Sequence, residues 1–331
     1  MSCKHCFITE LTIEIKCTTN PIEDMLSIIH NHLKRRNIPI EIKDKHLFTN
    51  EEGATSIYDF SQDHMDMNEI YYRILDHQWQ PLTNISKVLE AKWIDQIIQK
   101  KQIHCHYQPI LTADKQIYGY ELLARFNDST GQTIYPDVIF DAARKRGRLY
   151  ALDRLCRLTA VRHAANIPDN KKAFINFIPT SIYSPAFCLR STTRLAEQLH
   201  LDTDRLVFEV VETDKVDDVN HLKDILHYYR NRGFNYALDD VGEGFSTINL
   251  LTDLKPNVMK LDMKYVQGVT KDRKKQQAAI LFLEKANEIG SIPLAEGIET
   301  EEDFMWLKQR GYQLFQGYLF GKPTPEIKTS I

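Results

Sequence analysis

The chain has 331 residues, 43% of them hydrophobic and 26% charged, with a formal net charge of −3 at pH 7. These values suit a folded chain of one large domain, or a large and a small one, and argue against a basic protein that holds duplex nucleic acid. No apolar run approaches the ~20 residues of a membrane span, the Met1-Ser2-Cys3-Lys4-His5-Cys6 start lacks a secretory apolar core, and the six dispersed cysteines favour reduced thiols, so a cytoplasmic location is expected.

Residues 1–95 read as a small α/β unit. Leu11, Ile13 and Ile15 alternate with Thr12, Glu14 and Lys16, the pattern of a half-buried strand. Asn20-Pro21 supplies an N-cap and a first-turn proline, and Ile28, Ile29, His32 and Leu33 follow at helical spacing. Ile38, Ile40 and Ile42 alternate as a second strand. The polar stretch 49–66, with Asn50-Glu51-Glu52-Gly53, reads as a turn or loop, and 68–76 and 85–100 read as helices. Cys3 and Cys6 form a C-x₂-C pair, half of many zinc or redox sites, with no evident second half. Nothing in this unit identifies a ligand; sensory, regulatory and assembly roles all stay open.

From Ile103 onward the pattern changes. Short apolar runs at 103–110, 117–124, 173–177, 206–211, 235–238, 258–261, 292–295 and 314–318 alternate with amphipathic segments at 137–149, 152–166, 191–200, 220–232, 274–289 and 301–310. This alternation predicts an α/β fold with a parallel sheet. Its size and unit count fit a (β/α)8 TIM-like barrel, which typically takes about 250 residues; an open doubly wound sheet is the alternative.

Barrel enzymes carry their chemistry where strands end. The strand ends here present Glu121, Asn176, Glu209, Asp239-Asp240, Lys260, Glu296 and Gln316, with Glu212, Asp262 and Glu299 close behind. One polar strand end usually means no more than a strand meeting solvent. So many carboxylates at one mouth would repel one another unless cations neutralised them. An all-oxygen donor set points to Mg²⁺ or Mn²⁺ rather than structural zinc. Two such ions bridged by an aspartate activate water against a phosphodiester.

Residues 96–331 resemble the EAL domain family of cyclic di-GMP phosphodiesterases. The resemblance rests on Tyr107-Gln108-Pro109-Ile110, Glu121-Leu122-Leu123 with Arg125, Asn176-Phe177-Ile178-Pro179, Glu209-Val210-Val211-Glu212, Asp239-Asp240-Val241-Gly242, Lys260-Leu261-Asp262, Ala295-Glu296-Gly297-Ile298-Glu299 and Gln316-Gly317-Tyr318. It implies that Glu121, Asn176, Glu209 and Asp239 bind one metal, and that Asp239 bridges to a second near Asp240 and Glu296. It further implies that Lys260 orients or helps activate the attacking water, and that Gln316 holds the second metal and its hydration. Gln108, Leu123 and Arg125 would meet the substrate, while Glu212, Asp262 and Glu299 would support the ligands from behind. The implied product is linear pGpG and the implied assembly a homodimer; Ca²⁺ is expected to inhibit by occupying the site with looser geometry than Mg²⁺.

Two departures fall in the loop after the aspartate pair, Val241 and Glu243, and bear on regulation and metal affinity. A catalytically silent cyclic di-GMP receptor or protein-interaction module is the rival reading. Gly242-Glu243-Gly244 lacks the third glycine of a dinucleotide fingerprint. His104 and His106 share a strand face with no third ligand nearby, which favours ordinary packing, and Cys156 and Cys188 read as small buried hydrophobes.

Overall fold

The computed structural model describes residues 10–18, 22–74, 77–128, 130–211, 218–239 and 254–330, with backbone alone for 22–26. Two compact units emerge: Met1–Gln102 with Asn127–Leu152, and Ile103–Phe126 with Asp153–Ile331.

In the first unit, β1 (Ile13–Cys17), β2 (Ile40–Lys43), β3 (His46–Thr49), β4 (Ile70–Ile74) and β5 (Gln80–Pro81) form an antiparallel sheet in the order β2-β3-β1-β4-β5. Ile13 and Ile15 alternate into a core with Leu33, Ile57, Ile70, Tyr72 and Ile74. Between them, Glu14 lies on the other face of the sheet, 2.5 Å from both His46 Nδ1 and Arg73 Nε. The buried Arg146 and Arg148 guanidiniums converge on Asp95, each with a nitrogen 2.8 Å from it.

The first unit departs from the sequence reading in three places. The stretch expected to be a loop is the helix Glu51–His64. Asn50 caps it, accepting from the Gly53 N–H, and Gly53, Ala54, Ile57 and Ser61 form its buried stripe, so the Asn-Glu-Glu-Gly cluster starts a helix rather than a turn. The expected helix at 68–76 is instead a short 3₁₀ turn, Met67–Glu69, followed by β4. Ile70, Tyr72 and Ile74 are all buried, a period of two that outweighed any helical spacing. The expected helix at 85–100 is two helices, Ile85–Glu90 and Trp93–Lys100.

In the second unit, β6 (Ile103–Thr112), β7 (Ile117–Asn127), β9 (Lys172–Phe177), β10 (Leu206–Val210), β11 (Asn235–Leu238), β12 (Val258–Leu261), β13 (Ile292–Ala295) and β14 (Leu314–Gln316) close into a barrel; β8 (Thr133–Ile134) is not one of its staves. The strands from β7 round to β14 pair in parallel. β6 runs antiparallel to both its neighbours, the one exception to the parallel pattern expected from the sequence. A short hairpin therefore joins β6 to β7 where a crossover helix would otherwise stand.

The barrel interior is filled by a layer with one apolar side chain from most strands: Ile110, Phe174, Val207, Ala237, Val258, Leu294 and Leu314, all almost sealed from solvent. The larger core lies outside the staves, where Phe208, Tyr229, Leu226, Phe304 and Phe315 pack between strands and helices. Phe208 and Tyr229 stack at 4.0 Å between centroids. Cys156 and Cys188 are buried in the barrel unit, as expected.

Candidate active site

Side chains on a strand alternate between faces, so the residue two positions beyond an inward-facing one also faces inward, one layer higher. Two beyond Phe174 is Asn176, two beyond Val207 is Glu209, and two beyond Ala237 is Asp239. The same step leads from Val258 to Lys260, from Leu294 to Glu296 and from Leu314 to Gln316. On the reversed β6 the step runs backwards, from Ile110 to Gln108, which pairs with Glu121 of β7. The polar layer thus sits directly on the apolar one at the C-terminal rim.

Lys260 occupies the centre of that layer. Its Nζ is 2.9 Å from Glu296 Oε1, 3.0 Å from Glu209 Oε1, 3.4 Å from Asp239 Oδ1 and 3.9 Å from Glu121 Oε2. Burial alone would strip its proton, but the surrounding carboxylates outweigh burial and hold the ammonium well above the usual lysine range. Lys260 is therefore a cation here, a donor and a fixed charge.

Two amides brace the first carboxylate. Asn176 Nδ2 donates to Glu121 Oε1 at 2.8 Å, and Gln316 Nε2 donates to Glu121 Oε2 at 2.6 Å and to Gln108 Oε1 at 3.1 Å. Burial pushes the Glu121 carboxyl up, yet Lys260 and these two donors bring it below the usual range. Glu209 and Glu296 lack such bracing. Burial, reinforced by neighbouring carboxylates, holds both well above the usual range despite Lys260.

The amide orientations leave oxygens over. Asn176 Oδ1, Gln316 Oε1 and Glu209 Oε2 are buried and accept no hydrogen bond from the described residues. An acceptor stranded in this way costs about 1–3 kcal/mol, a penalty that a hard cation taking the lone pairs would remove. The donors are all oxygen, the set that Mg²⁺ and Mn²⁺ favour. Among the described residues no three acidic, histidine or cysteine side chains already form a metal cage, since Lys260 holds the carboxylates around itself.

Glycines fix the loops that frame the rim. A Cβ on Gly317 would lie 2.2 Å from Ile298 N and 2.1 Å from Ile298 O, so only glycine lets the end of β14 meet the segment after Glu296. Ile298 N in turn donates to Gln316 O at 3.0 Å.

Of the residues singled out in the sequence, Gln108, Glu121, Asn176, Glu209, Asp239, Lys260, Glu296 and Gln316 meet in this layer. Leu123 and Arg125 stand above it on β7. Asp262 instead caps the helix Met263–Val266, accepting from Lys264 N at 2.7 Å. Glu299 accepts from Gln267 Nε2 at 3.2 Å, and among the described residues neither Asp262 nor Glu299 makes a hydrogen bond or ion pair to the cluster. Asp240, Glu212, Val241, Glu243, Cys3 and Cys6 lie outside the described residues. What the sequence did not reveal is the link from Gln108 to Gln316, which joins the opening strand to the closing one.

Residues 91–323 match the family model described as the EAL domain. The chain belongs to the EAL domain family. It is 30% identical over 238 residues to a probable cyclic di-GMP phosphodiesterase, PdeG, of Escherichia coli, a match covering 70% of this chain and 46% of that protein. It is 26% identical over 236 residues to the cyclic di-GMP phosphodiesterase NbdA of Pseudomonas aeruginosa, covering 70% of this chain and 30% of that one. The chain thus matches less than half the length of either relative. A standalone versatile EAL protein from Vibrio cholerae O395, solved in its c-di-GMP bound form, is 34% identical with a TM-score of 0.59, over 69% of this chain and 93% of that one. No helix among the described residues is long and apolar enough to cross a membrane.

Proposed function

We propose that this EAL domain hydrolyses one phosphodiester bond of cyclic di-GMP, giving linear pGpG, with Mg²⁺ or Mn²⁺ as cofactor. The observation that carries this reading is the convergence of Glu121, Asn176, Glu209, Asp239, Lys260, Glu296 and Gln316 in one layer at the barrel rim. The names of the relatives and the ligand of the Vibrio cholerae protein support the choice of substrate.

In this reading Glu121, Asn176, Glu209 and Asp239 hold one cation through their oxygens. A second would be held by Asp239, Asp240, Glu296 and Gln316. Such cations, when bound, would supply a water of lowered pKa and a Lewis acid at the phosphoryl oxygens. Lys260, through its ammonium, would orient that water and face the charge that grows on phosphorus, which is electrostatic stabilisation. Gln108, Leu123 and Arg125 position the substrate. Asp262 and Glu299 act at a distance, by fixing the turns after β12 and β13. Ca²⁺ inhibits, because it accepts looser coordination than the reaction geometry requires.

Incubation of the purified chain with cyclic di-GMP and Mg²⁺ or Mn²⁺, with products resolved by chromatography, tests the reading. Metal-dependent appearance of pGpG is the expected result. Tight binding of cyclic di-GMP without pGpG would replace the enzyme with a receptor.

A further inference from the structure

The β6–β7 ladder continues past the rim of the barrel. β14 pairs with β6 only from Ile110 to Thr112, and β9 pairs with β7 only as far as Leu122. β6 and β7 remain paired to each other out to Ile103 and Phe126. Thr324 bridges the outer edge of β6 at Tyr107, and the paired ends of β6 and β7 form a wall beside the mouth. The alternation that places Gln108 and Glu121 in the site sets His106 opposite Leu123 and His104 opposite Arg125 on the same face of that wall.

The two imidazole centroids are 5.3 Å apart with their planes at 51°, and both rings and Arg125 are half-buried. Burial, then the Arg125 charge, holds both imidazoles below the usual histidine range, with the Pro323 carbonyl partly opposing this at His106. Both rings are therefore neutral at pH 7. Arg125 Nη1 donates to the Ala124 carbonyl of its own strand at 2.9 Å, and Arg125 makes no ion pair among the described residues.

We infer that His104 and His106, with Arg125 beside them, form a subsite for one purine base of the dinucleotide. The identity of the ligand rests on the phosphodiesterase reading; the subsite itself rests on the wall. Three flat groups cluster on one half-buried face, only one of them charged, above the residues that would hold the phosphate. A bare phosphate would be served by cations alone. A purine offers π faces to the imidazoles and ring acceptors to a guanidinium, the pattern by which proteins hold unstacked bases. The histidine pair is thus an affinity determinant lying outside the catalytic layer.

The test replaces both histidines in the full chain, as H104A/H106A, H104L/H106L and H104F/H106F. Cyclic di-GMP affinity is measured by calorimetry, and kcat and KM by pGpG formation. Loss of one stacking platform corresponds to about tenfold in affinity. The alanine and leucine pairs should therefore raise Kd and KM about tenfold with kcat nearly unchanged, and the phenylalanine pair should restore wild-type values. The leucine pair fills the same space without a π face, so it separates stacking from mere packing should the alanine pair fail to fold. Wild-type affinity in a folded leucine pair, or lost affinity in a folded phenylalanine pair, overturns the subsite. A wild-type chain that binds cyclic di-GMP without turnover overturns only the hydrolase, whereas one that does not bind it overturns both.

Discussion

Lys260 Nζ lies 3.0 Å from Glu209 Oε1, and both side chains are sealed from solvent, Lys260 at 1% and Glu209 at 0% exposure. A charge buried in this way is tolerable only while its partners remain. Removing Lys260 leaves four acidic groups crowded without a cation. The Lys260→Met chain should lose about 3–5 kcal/mol of metal-free stability, with part recovered in Mn²⁺, as read by thermal unfolding with and without the ion. Its kcat should fall about 100- to 1,000-fold with a smaller change in KM. Unchanged kcat would remove Lys260 from the chemistry.

Glu121 is the carboxylate that the two amides brace, whereas Asp239 follows β11 directly and lies 3.4 Å from Lys260 Nζ. Glu121→Ala and Asp239→Ala should each reduce turnover more than about 100-fold, measured as pGpG formed at saturating metal. Asn176→Ala should act more mildly, mainly by raising the metal concentration needed for half-maximal rate, since it removes a neutral ligand and a brace together. Full activity in Asp239→Ala would refute its bridging role.

The raised Glu209 and Glu296 carboxyls give a signed pH dependence. Their protons persist above the usual carboxylate range, so an incoming cation must displace them. Metal affinity should therefore rise with pH above that range, and binding should release protons. Calorimetry of Mn²⁺ binding in buffers of different ionisation enthalpy measures this release directly. An affinity that is flat with pH, with no proton release, would contradict the coupling.

Glu14 makes the opposite case in the first unit. Burial raises its carboxyl, but Arg73 and His46 outweigh burial and leave it below its ordinary value of 4.5. A depressed acid stabilises the fold at pH above the unfolded value and loses that contribution as pH falls through the folded one. Glu14→Gln should cost about 2 kcal/mol at pH 7, and the gap to wild type should close toward pH 3. Denaturation followed by tryptophan fluorescence reads this, since Trp79 stands 5.3 Å from His46. A pH-independent gap would assign Glu14 to packing alone.

The barrel was legible in the sequence because six of its strands, β9 to β14, lead to a polar residue two positions past an inward apolar one, as Val207 and Glu209 or Leu294 and Glu296 do. That pattern yields strand and site together. The reversal of β6 was legible only in its connection: the runs at 103–110 and 117–124 stand six residues apart, too few for the crossover that a parallel pair requires, whereas their composition suits either direction. In the first unit, Asn50-Glu51-Glu52-Gly53 has turn composition but acts as a cap and first turn, because the buried stripe through Ala54 and Ile57 decides the outcome. Asp262 and Glu299 follow site residues closely in sequence, and their described hydrogen bonds go to Lys264 N and Gln267 Nε2.

The most direct measurement is anomalous diffraction from crystals of the chain grown with Mn²⁺. Two peaks about 3.5–4 Å apart, ligated by Glu121, Asn176, Glu209 and Asp239 with Asp239 between them, are the predicted result. Peaks elsewhere, or none at the rim while Lys260 still fills the space among the carboxylates, would contradict the account.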